Sequence, residues 1–125
     1  MRTQYHFQRT TRGFLAWDVQ RLIDCSKELP VIEVQLDRIR ELDESFWFIH
    51  ESDAPTCRRI TEHARLMLDV DPTHPIILAQ DGRVMDGMHR VCRALIDGRR
   101  SIAAVRFDTD PDPDYIDVPP DELPY

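Results

Sequence analysis

The stretch PIILAQDGRVMDGMHRVCRALIDGRRSIAAVRF, residues 75–107, leaves the chain little choice of local structure. PIILAQ (75–80) has the composition of a short apolar strand, Asp81-Gly82 is a strong two-residue hairpin signal, and RVMDG (83–87) supplies the returning strand. Beyond the turn, Met88, Val91, Cys92, Leu95 and Ile96 recur at three- and four-residue spacing, which draws one apolar stripe along a helix. Gly98 then stands where helices end on a left-handed residue, and SIAAVRF (101–107) reads as a further strand. Strand, turn, strand, helix and strand in this order point to an α+β domain. Its small mixed sheet would have a β-hairpin running directly into a helix.

The remaining segments are less decisive. Residues up to Arg12 are polar and aromatic without a clear period, as in an irregular arm or a short edge strand. FLAWDVQRLIDCSK (14–27) places Phe14, Trp17, Val19, Leu22 and Cys25 near helical spacing, and Pro30 stops continuation, so a helix is expected there. VIEVQL (31–36) alternates apolar and polar residues as a half-buried strand does. A short helical turn follows, and then an aromatic cluster, Phe46, Trp47 and Phe48, that the pattern does not place. DAPTCRRITEHARLMLDVD (53–71) predicts a helix with Asp53 as cap, Pro55 in its first turn and an inner stripe of Ile60, Ala64, Met67 and Leu68.

A chain of 125 residues suits one domain able to bury roughly two-thirds of its unfolded surface. The formal charge of −7 is not evenly spread. DTDPDPDYIDVPPDELPY (108–125) carries seven acidic residues and no basic one, while residues 1–107 balance 16 acidic against 16 basic. A domain over 1–107 with an acidic, proline-rich tail is therefore expected. The tail should be extended and partly disordered, although Tyr115, Ile116, Val118, Leu123 and Tyr125 offer side chains that can dock.

The balanced body counts against a duplex-DNA binder, which normally advertises a basic face. No apolar run is long enough to span a bilayer, and the first residues lack the apolar core of a signal peptide, so the expected location is the cytoplasm. Cys25, Cys57 and Cys92 are odd in number and lack a CxxC pair, which predicts buried, reduced thiols. The histidines, at 6, 50, 63, 74 and 89, show no metal-binding spacing. No zinc is expected.

The turn from Asp86 to Arg90 concentrates chemistry. A helix starting there presents unpaired N–H groups and the positive pole of its dipole, and anions bind such ends readily. Gly87 permits a sharp turn and close approach of a ligand, because no Cβ blocks it. The N–H groups of Gly87 and Met88, with His89 and Arg90, form a candidate phosphate cradle. Arg93 shares the polar face below it and Arg83 lies across the turn. Asp86 has two competing roles: N-cap, the commoner one, or a carboxylate that holds Mg²⁺ or handles a proton.

The same stretch resembles the ParB/sulfiredoxin superfamily (the ParB-like nuclease domain fold), in which a hairpin enters a helix through a (D/G)GxHR-type turn and a strand follows. VIEVQLDRI resembles its opening strand, so the likeness covers about residues 31–107. The DGMHR motif is closest to the DGHHR form of the free-serine kinases. The resemblance implies a nucleotide-phosphate site at Gly87, His89 and Arg90, with Asp86 as the acidic residue of the kinase-like form. It further implies a nucleoside triphosphate with Mg²⁺ as ligand, and phosphoryl transfer to a small-molecule acceptor or nucleotide hydrolysis. An acidic base would come from the segment of Glu41, Asp43 and Glu44, whose plainer reading is a solvated helix end.

Two departures narrow this. Sulfiredoxins carry a cysteine where this chain has Met88, and a thioether cannot attack as a thiolate does. ParB proteins continue into a helix-turn-helix region, whereas this sequence runs into the acidic tail. Two rival expectations stand beside the nucleotide-binding enzyme. One is a non-catalytic nucleotide-sensing or protein-interaction module using the tail; the other is a nucleic-acid-binding or nuclease domain.

Overall fold

Burial on both faces of one short sheet organises the chain. In the computed structural model, which describes residues 2–49 and 53–125, a four-stranded sheet is built from β3 (Ile32–Gln35), β4 (Ile76–Leu78), β5 (Val84–Asp86) and β6 (Ser101–Arg106) in the order β3-β6-β4-β5. β4 and β6 are parallel; the other two pairings are antiparallel. Ile76, Ile77 and Leu78 are all buried, the continuous apolar run that a strand covered on both sides requires.

One face, with Ile76, Leu78, Val84, Ile102 and Ala104, meets α3 (Met88–Ile96) through Met88, Val91 and Ala94. The opposite face, with Ile77, Met85, Val105 and Phe107, meets Leu15, Trp17 and Leu22. These belong to a second sheet, β1 (Tyr5–Thr10), β2 (Gly13–Asp18) and β7 (Tyr115–Ile116), and to α1 (Val19–Ser26). The hairpin, α3 and β6 follow the expected order, and Gly98, at φ 73°, ends α3 with the Arg99 N–H bonded back to the Ala94 carbonyl at 3.0 Å.

Several expectations are corrected. The helix read over 14–27 splits at Asp18: the first half is β2, and α1 begins where the Asp18 carboxylate accepts from the Gln20 N–H at 2.9 Å. Phe14 and Trp17 would share a helical face, whereas Leu15 and Trp17 alternate as in a strand, and pairing with β1 and β7 decides for the strand, putting Leu15 and Trp17 together in the core. Helix α2 (Cys57–Asp69) is capped by Thr56, not Asp53, so Pro55 precedes the cap. Its inner face is Arg59, His63 and Met67, while Ile60 and Leu68 are 50% and 60% exposed. On α3, Ala94 is buried and Leu95 and Ile96 are exposed, so the inner stripe follows three-residue steps.

Cys25 and Cys57 are exposed free thiols and Cys92 is partly buried. The hairpin loop is longer than two residues, closing with the Ala79 N–H on the Arg83 carbonyl at 2.8 Å and the Gly82 N–H on the Ala79 carbonyl at 2.9 Å.

The tail is extended but strapped to the body. β7 pairs with β2, and three aspartates accept backbone N–H groups of the body: Asp110 from Gln80 (2.7 Å), Asp114 from Asp18 (2.8 Å) and Asp117 from Phe14 (2.8 Å). The Trp17 indole donates to the Pro111 carbonyl at 2.9 Å, and Leu123 is buried. Acidic side chains lacking regular spacing thus serve as acceptors for an open strand edge and a turn. No helix among the described residues is long and apolar enough to cross a membrane. His50 lies outside the described residues.

Candidate functional site

The turn between β5 and α3 is held by Gly87 at φ 108°, ψ 22°, and no side chain caps the helix it starts. Asp86 is therefore not an N-cap. Its carboxylate instead accepts from the Arg90 guanidinium at 3.1 Å, with both side chains mostly buried, and the same Arg90 nitrogen reaches the Pro75 carbonyl at 3.3 Å. The Arg90 Nε is buried without a hydrogen-bond partner among the described residues. Packing around Gly87 is close: a Cβ there would come within 2.7 Å of both Arg90 Nη2 and Ile76 Cγ2.

His89 does not stand free on the surface. Its Nε2 lies 2.9 Å from Nδ1 of His63 on α2, so one ring donates and the other accepts. The Trp47 indole is stacked on both imidazoles, with centroids 4.3 Å from His63 and 4.5 Å from His89. The aromatic cluster that the sequence left unplaced thus closes one side of the turn.

Burial and the neighbouring His63 push His89 down to about 4, against the opposing pull of Asp86. Burial and Arg59 lower His63, and burial takes His6, on β1, down to about 4, again against Asp86. At neutral pH these rings carry no charge, so Arg90 rather than His89 supplies the positive charge at the turn.

The other candidate residues divide. Met88 is buried, leaving only its backbone N–H available. Arg93 is directed at α2, donating to the Leu68 carbonyl at 2.7 Å and pairing with Asp97 at 3.1 Å, where it offsets the negative end of that helix. Arg83 pairs with Glu44 at 3.2 Å. Glu41 is not a solvated helix end: it is 3% exposed and accepts the Val84 N–H at 2.5 Å, while its second oxygen has no partner among the described residues. The structure thus gathers Asp86, Gly87, His89 and Arg90, and adds Trp47 and His63. Those two come from other elements, and only the polar inner face of α2, with His63 between Arg59 and Met67, offered a signal.

His6 and His89 give an expected pH response. The unfolded chain keeps ordinary imidazoles near 6.5, whereas His6 and His89 fold at about 4. Between those values the unfolded state binds more protons, so stability is full above pH 6.5 and is lost as pH falls toward 4. His6 alone should contribute a loss on the order of 3 kcal/mol. Urea denaturation at stepped pH should show this fall, and His6→Gln should make it shallower.

Comparison with family models, with curated protein sequences and with solved structures returned no match.

Proposed function

We propose that the chain binds the phosphates of a nucleoside triphosphate at the Gly87 turn. The observation that carries this reading is the uncapped start of α3: first-turn N–H groups end on a glycine, with the Arg90 guanidinium beside them. Helix-end N–H groups and a guanidinium are complementary to phosphate oxygens. The resemblance to the ParB/sulfiredoxin superfamily supports the same reading through the DGMHR motif and the hairpin, helix and strand around it.

Gly87 and Met88 would offer backbone N–H groups, His89 a neutral imidazole and Arg90 charge. Arg93 and Arg83 would act from outside the cradle, since Arg93 is directed at the end of α2 and Arg83 at Glu44. No group of three metal-ligating side chains converges among the described residues. Magnesium would therefore come with the nucleotide, held mainly by phosphate oxygens and water, with Asp86 as its protein carboxylate. It would neutralise phosphate charge.

The Asp86–Arg90 ion pair favours binding without chemistry, a nucleotide-sensing module, because the carboxylate is already occupied by the guanidinium. Phosphoryl transfer to a small acceptor, or hydrolysis, requires Asp86 to be released on binding. A protein partner recruited through residues 108–125 would compete with β2 for the same strand.

Calorimetric titration with ATP, CTP and GTP in the presence of Mg²⁺ tests this. At least one should bind, and Arg90→Ala should weaken it by about tenfold or more, as expected for loss of a charge-assisted contact. No binding by any of the three would end the proposal. Turnover of bound nucleotide over hours would favour the enzyme, and its absence the sensor.

A further inference from the structure

Helix α2 has thirteen residues and buries none of them. Its inner side touches the body through Arg59, His63 and Met67, which leaves a long outer face in solvent. Arg58, Glu62, Arg65 and Asp69 follow one another along that face at spacings of four, three and four, and all four are exposed. Among the described residues none of them makes an ion pair. On either side of this stripe Leu66 and Leu68 are 51% and 60% exposed, two large apolar side chains on one short helix.

The order of charge is plus, minus, plus, minus, so the stripe read backwards has every sign inverted. Two copies laid antiparallel would therefore match throughout, Arg58 opposite Asp69 and Glu62 opposite Arg65, repeated across a two-fold axis. A parallel arrangement in register would set like charges against each other.

We propose that the outer face of α2 is a self-complementary contact through which two copies of this chain pair with their α2 helices antiparallel. The apolar side chains flanking the stripe supply the buried area, and the charges fix orientation and register. The contact lies on the side of α2 away from His63, so pairing leaves the Gly87 turn open.

Sedimentation velocity on the full chain at roughly 100 μM tests the contact through a charge exchange. Wild type should be dimeric. Glu62→Arg and Arg65→Glu each place like charges opposite each other twice, and each should weaken association by about tenfold or more while circular dichroism stays unchanged. An equimolar mixture of the two variants restores opposite signs at both contacts and should recover the dimer as a heterodimer. Repair of a pair within one helix cannot produce that recovery. A monomeric wild type, single variants that remain dimeric, or a mixture of folded variants that stays monomeric would each overturn the proposal, the last two leaving the dimer to another surface.

Discussion

Replacing Gly87 with alanine is expected to lower the stability of the fold by roughly 3 kcal/mol, combining backbone strain with overpacking. The backbone sits at φ 108°, where an L side chain is strained whatever the space around it. The added Cβ would also meet Arg90 Nη2 and Ile76 Cγ2 at 2.7 Å. Arg90 is held by Asp86 and the Pro75 carbonyl, and Ile76 is fully buried, so neither can yield without breaking an ion pair or disturbing the core. Gly82→Ala is the control. That residue also has positive φ, at 89°, but nothing lies within 4 Å of the added carbon, so only the strain of about 1 kcal/mol should appear. Urea denaturation midpoints compare the two, and equal losses would mean that the turn is not tightly packed.

Removing residues 108–125 should cost on the order of 4 kcal/mol, from the lost burial of Leu123 and the lost charge-assisted bonds to the body. Asp110, Asp114 and Asp117 each satisfy a backbone N–H of the body, and β7 covers the edge of β2 at Leu15 and Ala16. Asp114 also pairs with Arg21 at 2.7 Å. Without the tail, the indole N–H of Trp17 loses the Pro111 carbonyl and that side of the second core opens to water. The truncated chain should unfold at lower urea, and its tryptophan fluorescence should shift to the red. A truncation as stable as the full chain would show the tail to be a loose appendage.

The elements legible in the sequence are those set by short-range chemistry. The turn at Asp81-Gly82, the start of α3 at Gly87 and its end at Gly98 depend on residues a few positions apart, and all three stand where the pattern puts them. Residues 14–18 were not legible, because Phe14 and Trp17 suit a helical face while Leu15 and Trp17 suit a strand, and partners far along the chain decide. On α2 the inner face is rotated from the expected one: Met67 stays inside, while Arg59 and His63 stand there in place of Ile60, Ala64 and Leu68. The helix docks through His63, whose hydrogen-bonding and stacking partners are invisible to a count of apolar residues.

The candidate site shows the same division. Asp86, Gly87, His89 and Arg90 are readable as a group because they occupy one strand-to-helix turn. Trp47 and His63 arrive from the segment after β3 and from α2, and only the folded chain assembles them. The neutrality of His89 was unreadable for the same reason, since it arises from burial and from the neighbouring His63.

The most direct test of a phosphate site at this turn is to follow the backbone amide resonances of Gly87, Met88 and His89 while a nucleoside triphosphate with Mg²⁺ is added. Saturable shifts centred on these three amides, absent in Arg90→Ala, are the predicted result. Nucleotide binding that leaves them unmoved while amides elsewhere shift, or no response at any nucleotide concentration, would contradict it.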